Sequence, residues 1–264
     1  MADVEPQPLS SIAPNAEFTL TTAALVDRPE LSNLVTQIFS LWTVIEHDFQ
    51  ILFARIIGPD NVAAHAVYSA LNNQGIQRQA LNAAAKARFG ETSEQFEVFS
   101  AVLAMCTRAG KIRHTLAHWR WGVSSDLPDA LLLADPRDVK LVNLTMTNMR
   151  SIRPLDGEKH GERLERLFKN VTFDTSAIFV YQPKHLDAGL KNLGQAATAL
   201  SNFDLYINPM TTAEDAEEAK RGWGGRFAKA IDAGTSAEAL RRLSTLSLFQ
   251  EARAQLASGK NRNP

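Results

Sequence analysis

Apolar positions set the first boundary in this chain. From Leu31 onward, Leu34, Ile38, Leu41, Ile45, Phe49, Leu52 and Ile56 recur at spacings of three and four. That period predicts one amphipathic helix of about seven turns. Ser32 suits its N-cap and Gly58-Pro59 its end. A second helix follows Asp60 through Val62, Ala66, Val67, Ala70 and Leu71, and Asn72-Asn73-Gln74-Gly75 breaks it. A third runs from about Ile76 to Phe89 and is closed by Gly90. The fourth starts after Thr92-Ser93-Glu94 and carries Phe96, Phe99, Val102, Leu103 and Cys106. Gly110 interrupts the pattern before a last segment, Lys111 to Gly122. Residues 31–125 therefore read as a helical bundle with short connections.

The period then changes. Ala130–Ala134 (ALLLA), Val139–Thr147 (VKLVNLTMT) and Ser176–Tyr181 (SAIFVY) have the composition of strands. Residues 126–184 are expected to form a small antiparallel sheet appended to the bundle, with a polar loop at 153–170. Helical spacing returns after Pro183 through Leu186, Leu190, Leu193, Ala197, Leu200 and Phe203. Two weaker helices are expected at about 212–221 and 236–257, split by Gly222-Trp223-Gly224-Gly225. Residues 185–264 would pack as C-terminal helices on the bundle or on a dimer. Residues 1–30 hold four prolines and five acids against one base, which predicts an extended N-terminal arm rather than core. The fold class expected is mainly α, with a small β appendage.

Composition narrows the function classes. The 264 residues are 45% hydrophobic and 22% charged, with 28 Lys+Arg against 29 Asp+Glu and a net charge of −1. A protein that coats nucleic acid by bulk charge is excluded. The single cysteine, Cys106, rules out a disulfide within the chain and suits a reducing compartment. The N-terminal stretch has no basic or apolar leader pattern, and no run approaches 18 apolar residues. A cytoplasmic location without a membrane partner is expected. Phosphate-cradling glycine motifs and a G-x-S-x-G elbow are absent.

The average charge conceals one asymmetry. No acid occurs between Val98 and Ser125, a stretch holding Arg108, Lys111, Arg113, Arg120, His114, His118, Trp119 and Trp121. An anionic ligand would be met here. Three Arg–His pairs have a spacing of five to seven residues: Arg113/His118, Arg108/His114 and Arg153/His160. The last contains Pro154 and Gly157, and the second contains Gly110. Only Arg113/His118 lies on an unbroken helical segment with a polar residue after the Arg.

That segment, IRHTLAHWRWG, resembles the motif helix of the HEPN superfamily in its bacterial Arg-polar-x-x-Ala-His form. The resemblance covers roughly residues 31–122. It implies a helical bundle, usually a homodimer with two motifs lining one cleft. It further implies a metal-independent endoribonuclease of toxin or defence type, with RNA as substrate, no cofactor, and an antitoxin protein as a further partner. Arg113 would hold the charge building on the phosphate, His118 would move protons, and His114 would assist. Arg113 and His118 lie about 140° apart around a helix, whereas His114 and His118 share a face. A dimer would ease that divergence. Glu46, on the first long helix, is a candidate to orient Arg113 or His114.

Other readings of these residues stay open. The bundle could be a non-catalytic dimerisation or ligand-binding module. His-x-x-x-His on a helix suits zinc, but the Glu of a metalloprotease is replaced by Thr115, and only Glu46-His47-Asp48 offers a further ligand. No resident metal is expected. Trp42 and one of Trp119 and Trp121 are expected in the core. Cys106 is expected to be a packing residue, and His47, His65, His160 and His185 join no constellation.

Overall fold

The structure is a computed structural model that describes residues 5–58, 61–137, 158–159, 161–163, 166, 174–208 and 236–259. The described residues are mainly helical, with a small five-stranded antiparallel sheet. They divide into two compact units, Met1–Ile38 with Ile112–Gly189, and Phe39–Lys111 with Leu190–Pro264. Two long helices, α2 (Pro29–Ile57) and α7 (Pro183–Ile207), each contribute to both.

The first unit is organised by the sheet, in the order β1-β5-β4-β3-β2. Its strands are β1 (Gln7–Pro8), β2 (Thr19–Leu20), β3 (Arg120–Val123), β4 (Leu131–Ala134) and β5 (Ile178–Tyr181). β4 lies between β3 and β5, pairing Trp121 with Leu133 and Leu132 with Val180. Every residue of β4 is fully buried, as a continuous apolar run requires when neither sheet face meets water. Leu9, Ala130, Leu132, Ala134, Ile178 and Val180 form one core cluster.

Two expectations are corrected here. The N-terminal residues are not a free arm. Gln7 and Pro8 pair with Val180 and Phe179 at one sheet edge, and Thr19 and Leu20 pair with Val123 and Gly122 at the other. Between them the short helix α1 (Leu9–Ile12) places Leu9 in the core at 0% exposure. The polar, proline-rich composition hid this because edge strands tolerate proline and expose one side. The helical bundle also does not run to residue 125. Helix α6 (Lys111–His118) stops, and Arg120 to Val123 turn into β3. The Trp121 indole Nε1 donates to the Leu116 carbonyl at 2.8 Å, closing an orphan carbonyl of the last helical turn. The expected strand at Val139–Thr147, the helix near 212–221 and the Gly222–Gly225 turn lie outside the described residues.

The second unit is helical. It contains the later turns of α2 and α7 together with α3 (Asn61–Ala70), α4 (Gln74–Phe89), α5 (Glu94–Ala109), α8 (Ser236–Ser244) and α9 (Ser247–Ala257). Caps explain the boundaries. Asn73 accepts from the backbone N–H groups of Gly75 and Ile76, and Ser93 accepts from that of Phe96. Gly90 ends α4 at a φ of +82°, in the left-handed region. Along α2, Trp42, Ile45, Phe49, Leu52 and Ile56 are buried, so the 3.6-residue stripe is real and includes Trp42. Phe99, Phe203, Phe249, Met105 and Leu81 fill the remaining core. Arg108 pairs with Glu251 at 2.5 Å and Arg253 with Glu97 at 2.8 Å, tying α9 to α5. Cys106 is fully buried, and burial pushes its thiol up to about 12, so it packs rather than reacts.

Burial also loads Asp48 on α2. Its carboxyl is raised to about 6 by burial, against the opposing charges of His47 and Arg55. Because the folded pKa exceeds the usual 3.8, the folded protein binds the extra proton between about pH 4 and 6. Asp48 therefore subtracts stability as pH rises through that window. Asp48→Asn is expected to raise the melting temperature at pH 8 and leave it nearly unchanged at pH 4. Thermal scans at both pH values check this, and equal shifts at the two would contradict it.

Candidate active site

Helix α6 carries the motif. Its sequence, KIRHTLAH, places Ile112 and Leu116 on one side, and Leu116 is buried at 1% exposure. His114 and His118, four residues apart, stand on the opposite, exposed side. Their ring centroids are 4.5 Å apart and the rings are tilted by 51°. Arg113 and Thr115 flank the buried face from either side.

Arg113 is half-buried, and its Nε is buried with no hydrogen-bond partner among the described residues. A buried guanidinium N–H without an acceptor is costly, and native structures leave few of them. The cations of the acid-free stretch are not equivalent. Arg108 is neutralised by Glu251. Among the described residues, Lys111, Arg113 and Arg120 make no ion pair. The positive charge left uncompensated thus sits on α6 and the first residue of β3.

The sheet holds this helix in place. Phe179 and Tyr181 alternate with the core residues Ile178 and Val180 along β5, so they occupy its other face. Phe179 packs against Trp119, with ring centroids 5.7 Å apart. The Tyr181 hydroxyl meets the Thr115 side chain in a polar contact, while burial pushes the phenol above its usual range. Start and end of α6 are thereby anchored differently. Ile112 packs on Gly189 of α7, where an added Cβ would come within 3.0 Å of Ile112. Thr115 and Trp119 rest on β5.

His185 joins this region through Tyr181, whose ring it meets edge-on at 6.3 Å. It is 6% exposed, in the first turn of α7. Its Nδ1 accepts from the Gln182 backbone N–H at 2.9 Å, which fixes the Nε2–H tautomer when the ring is neutral. Burial first, and the charge of Lys184 second, lower its pKa. Tyr181, Thr115, Phe179 and His185 were not singled out by sequence reasoning. The signal available was the alternation in SAIFVY, which puts Phe179 and Tyr181 on one face.

Glu46 makes its contacts inside the second unit. Its Oε1 accepts from the Trp42 indole at 2.7 Å and from Gln74. With Phe49, Tyr68, Gln77 and Arg78 these residues line a small open cleft. The Arg78 guanidinium covers the Trp42 ring at 5.8 Å. Glu46 thus hydrogen-bonds Trp42 and Gln74, its neighbours within that unit.

Trp42 is in the core at 3% exposure, while Trp119 and Trp121 are both half-buried. His47 is exposed, and His160 lies outside the described residues. Among the described residues, no group of three or more His, Cys, Asp or Glu side chains is placed to hold a metal ion. No helix among them is long and apolar enough to cross a membrane.

No family model, no curated protein and no solved structure matches the chain.

Proposed function

We propose that the protein is a HEPN-like endoribonuclease that cleaves RNA without a metal ion, in a toxin or defence role. One observation carries the reading. A single short helix presents two exposed imidazoles beside an arginine whose buried Nε–H has no acceptor among the described residues. A phosphate oxygen is an acceptor of the right charge for this half-buried guanidinium.

In the proposed reaction the ribose 2′-oxygen attacks the adjacent phosphorus and the bond to the 5′-oxygen breaks. The products are a 2′,3′-cyclic phosphate and a free 5′-hydroxyl. One proton leaves the 2′-hydroxyl and one is delivered to the 5′-oxygen. His118 performs proton transfer, with His114 beside it as the second imidazole. Arg113 stabilises the negative charge that grows on the phosphorane oxygens. A homodimer would bring two such helices to one cleft, and an antitoxin protein would be the natural restraint on such an activity.

The test is incubation of the purified protein with RNA in EDTA, with products analysed for 2′,3′-cyclic phosphate ends. Absence of cleavage sinks the reading. A second reading is a non-catalytic ligand-binding or dimerisation module, and the half-burial of Arg113 favours it, since a partly buried side chain also contributes packing.

The sheet supplies a further expectation. Tyr181→Phe removes the polar contact with Thr115 while keeping the ring. Cleavage is expected to fall several-fold through kcat, with KM and the melting temperature nearly unchanged. A loss confined to stability would place Tyr181 in the fold only.

A further inference from the structure

The two exposed histidines on α6 have a second chemical capacity. Imidazoles four residues apart on a helix project the same way, and both are free of bonds to other side chains among the described residues. A transition-metal ion bound to an imidazole nitrogen at about 2.0–2.1 Å lies about 3.2 Å from that ring's centroid. Two centroids 4.5 Å apart then subtend about 90° at a shared ion. That angle is the cis angle of tetragonal and octahedral coordination, and small side-chain rotations open it towards the tetrahedral value.

We propose that His114 and His118 form a two-histidine site for divalent transition-metal ions of the zinc, copper and nickel type. Neutral imidazole selects these ions over magnesium and calcium, which prefer oxygen ligands. No third or fourth protein ligand stands with the pair among the described residues, so water completes the coordination sphere. Such a site exchanges its ion readily. It differs from the closed sites that hold structural zinc.

The consequence for activity rests on the reading of α6 as a ribonuclease motif. A metal-bound imidazole nitrogen cannot take or give a proton. Ion binding therefore removes both proton carriers at once, and the site acts as an inhibitory one. Metal-independent chemistry and metal sensitivity then have the same origin in these two rings.

Equilibrium dialysis of the full chain against Zn²⁺, with Mg²⁺ as control, tests the site. The wild type is expected to retain about one zinc ion per chain and no magnesium. Both His114→Ala and His114→Gln are expected to weaken zinc binding about 10-fold or more, since even outer-shell losses cost that much. Circular dichroism of both variants is expected to match the wild type, because His114 is exposed. Undiminished zinc binding by the two variants, or no binding by the wild type, would overturn the site. Zinc is also expected to abolish RNA cleavage and EDTA to restore it; cleavage that persists on the zinc-loaded protein overturns the inhibitory role. Zinc binding lost in the variants, with no RNA cleavage under any condition, would uphold the site and sink the ribonuclease reading alone.

Discussion

His118→Ala is expected to lower RNA cleavage in EDTA by about 10²–10⁴-fold, the usual contribution of a positioned proton-transfer group. The fold is expected to survive. His118 is exposed at the end of α6, and its only ring contact among the described residues is with His114. Removing an exposed polar side chain usually changes stability by less than about 0.5 kcal/mol. Activity and melting temperature thus separate the two readings of the motif. Loss of cleavage with an unchanged melting temperature supports catalysis. A fall of several degrees would make His118 a structural residue, since about 1 kcal/mol corresponds to about 2–4 °C in a chain of this size. Cleavage at the wild-type rate in the variant would remove His118 from the mechanism.

Gly110→Ala is expected to destabilise the protein by about 1–3 kcal/mol. The backbone there is ordinary helix, with φ −69° and ψ −10°, so any residue could adopt it. Helix propensity alone would make alanine better than glycine by about 1 kcal/mol. Space decides against it. A Cβ at this position would lie 2.6 Å from two atoms of the Trp42 ring. That ring cannot swing aside cheaply. It is buried, its indole N–H is bonded to Glu46, and Arg78 lies over its face. Thermal or urea denaturation of the variant measures the outcome, and a gain in stability would show that propensity wins over the contact. The glycine between α5 and α6 thus exists for a neighbour, with no demand from the backbone.

Most helices were legible because their signals are local, although α2 begins at Pro29, ahead of Ser32, and the one helix expected over 236–257 is two, α8 and α9. Leu31 to Ile56 carry a period, Asn73 and Ser93 are caps, and Gly90 supplies the left-handed residue that ends α4. The sheet was legible only in its middle. ALLLA and SAIFVY announce buried strands, whereas Gln7-Pro8 and Thr19-Leu20 are two-residue edges with no period to read. Their role depends on partners more than a hundred residues away, at Val180 and Val123. The motif was legible as residue types and spacing. What the sequence could not show was charge pairing. Arg108 looks like part of the basic stretch until Glu251 is found beside it, and the bonds that Trp42 and Gln74 donate to Glu46 were equally hidden.

The pairing of β1 with β5 also has a meaning in time. Synthesis delivers residues 7 and 8 about 170 residues before their partners Val180 and Phe179. Phe179 and Tyr181, which hold Trp119 and Thr115, emerge at that same late point. A nascent chain stopped before residue 179 has the whole motif helix and none of its β5 platform. The order of translation itself therefore delays the assembly of α6 in its seat until the sheet can close.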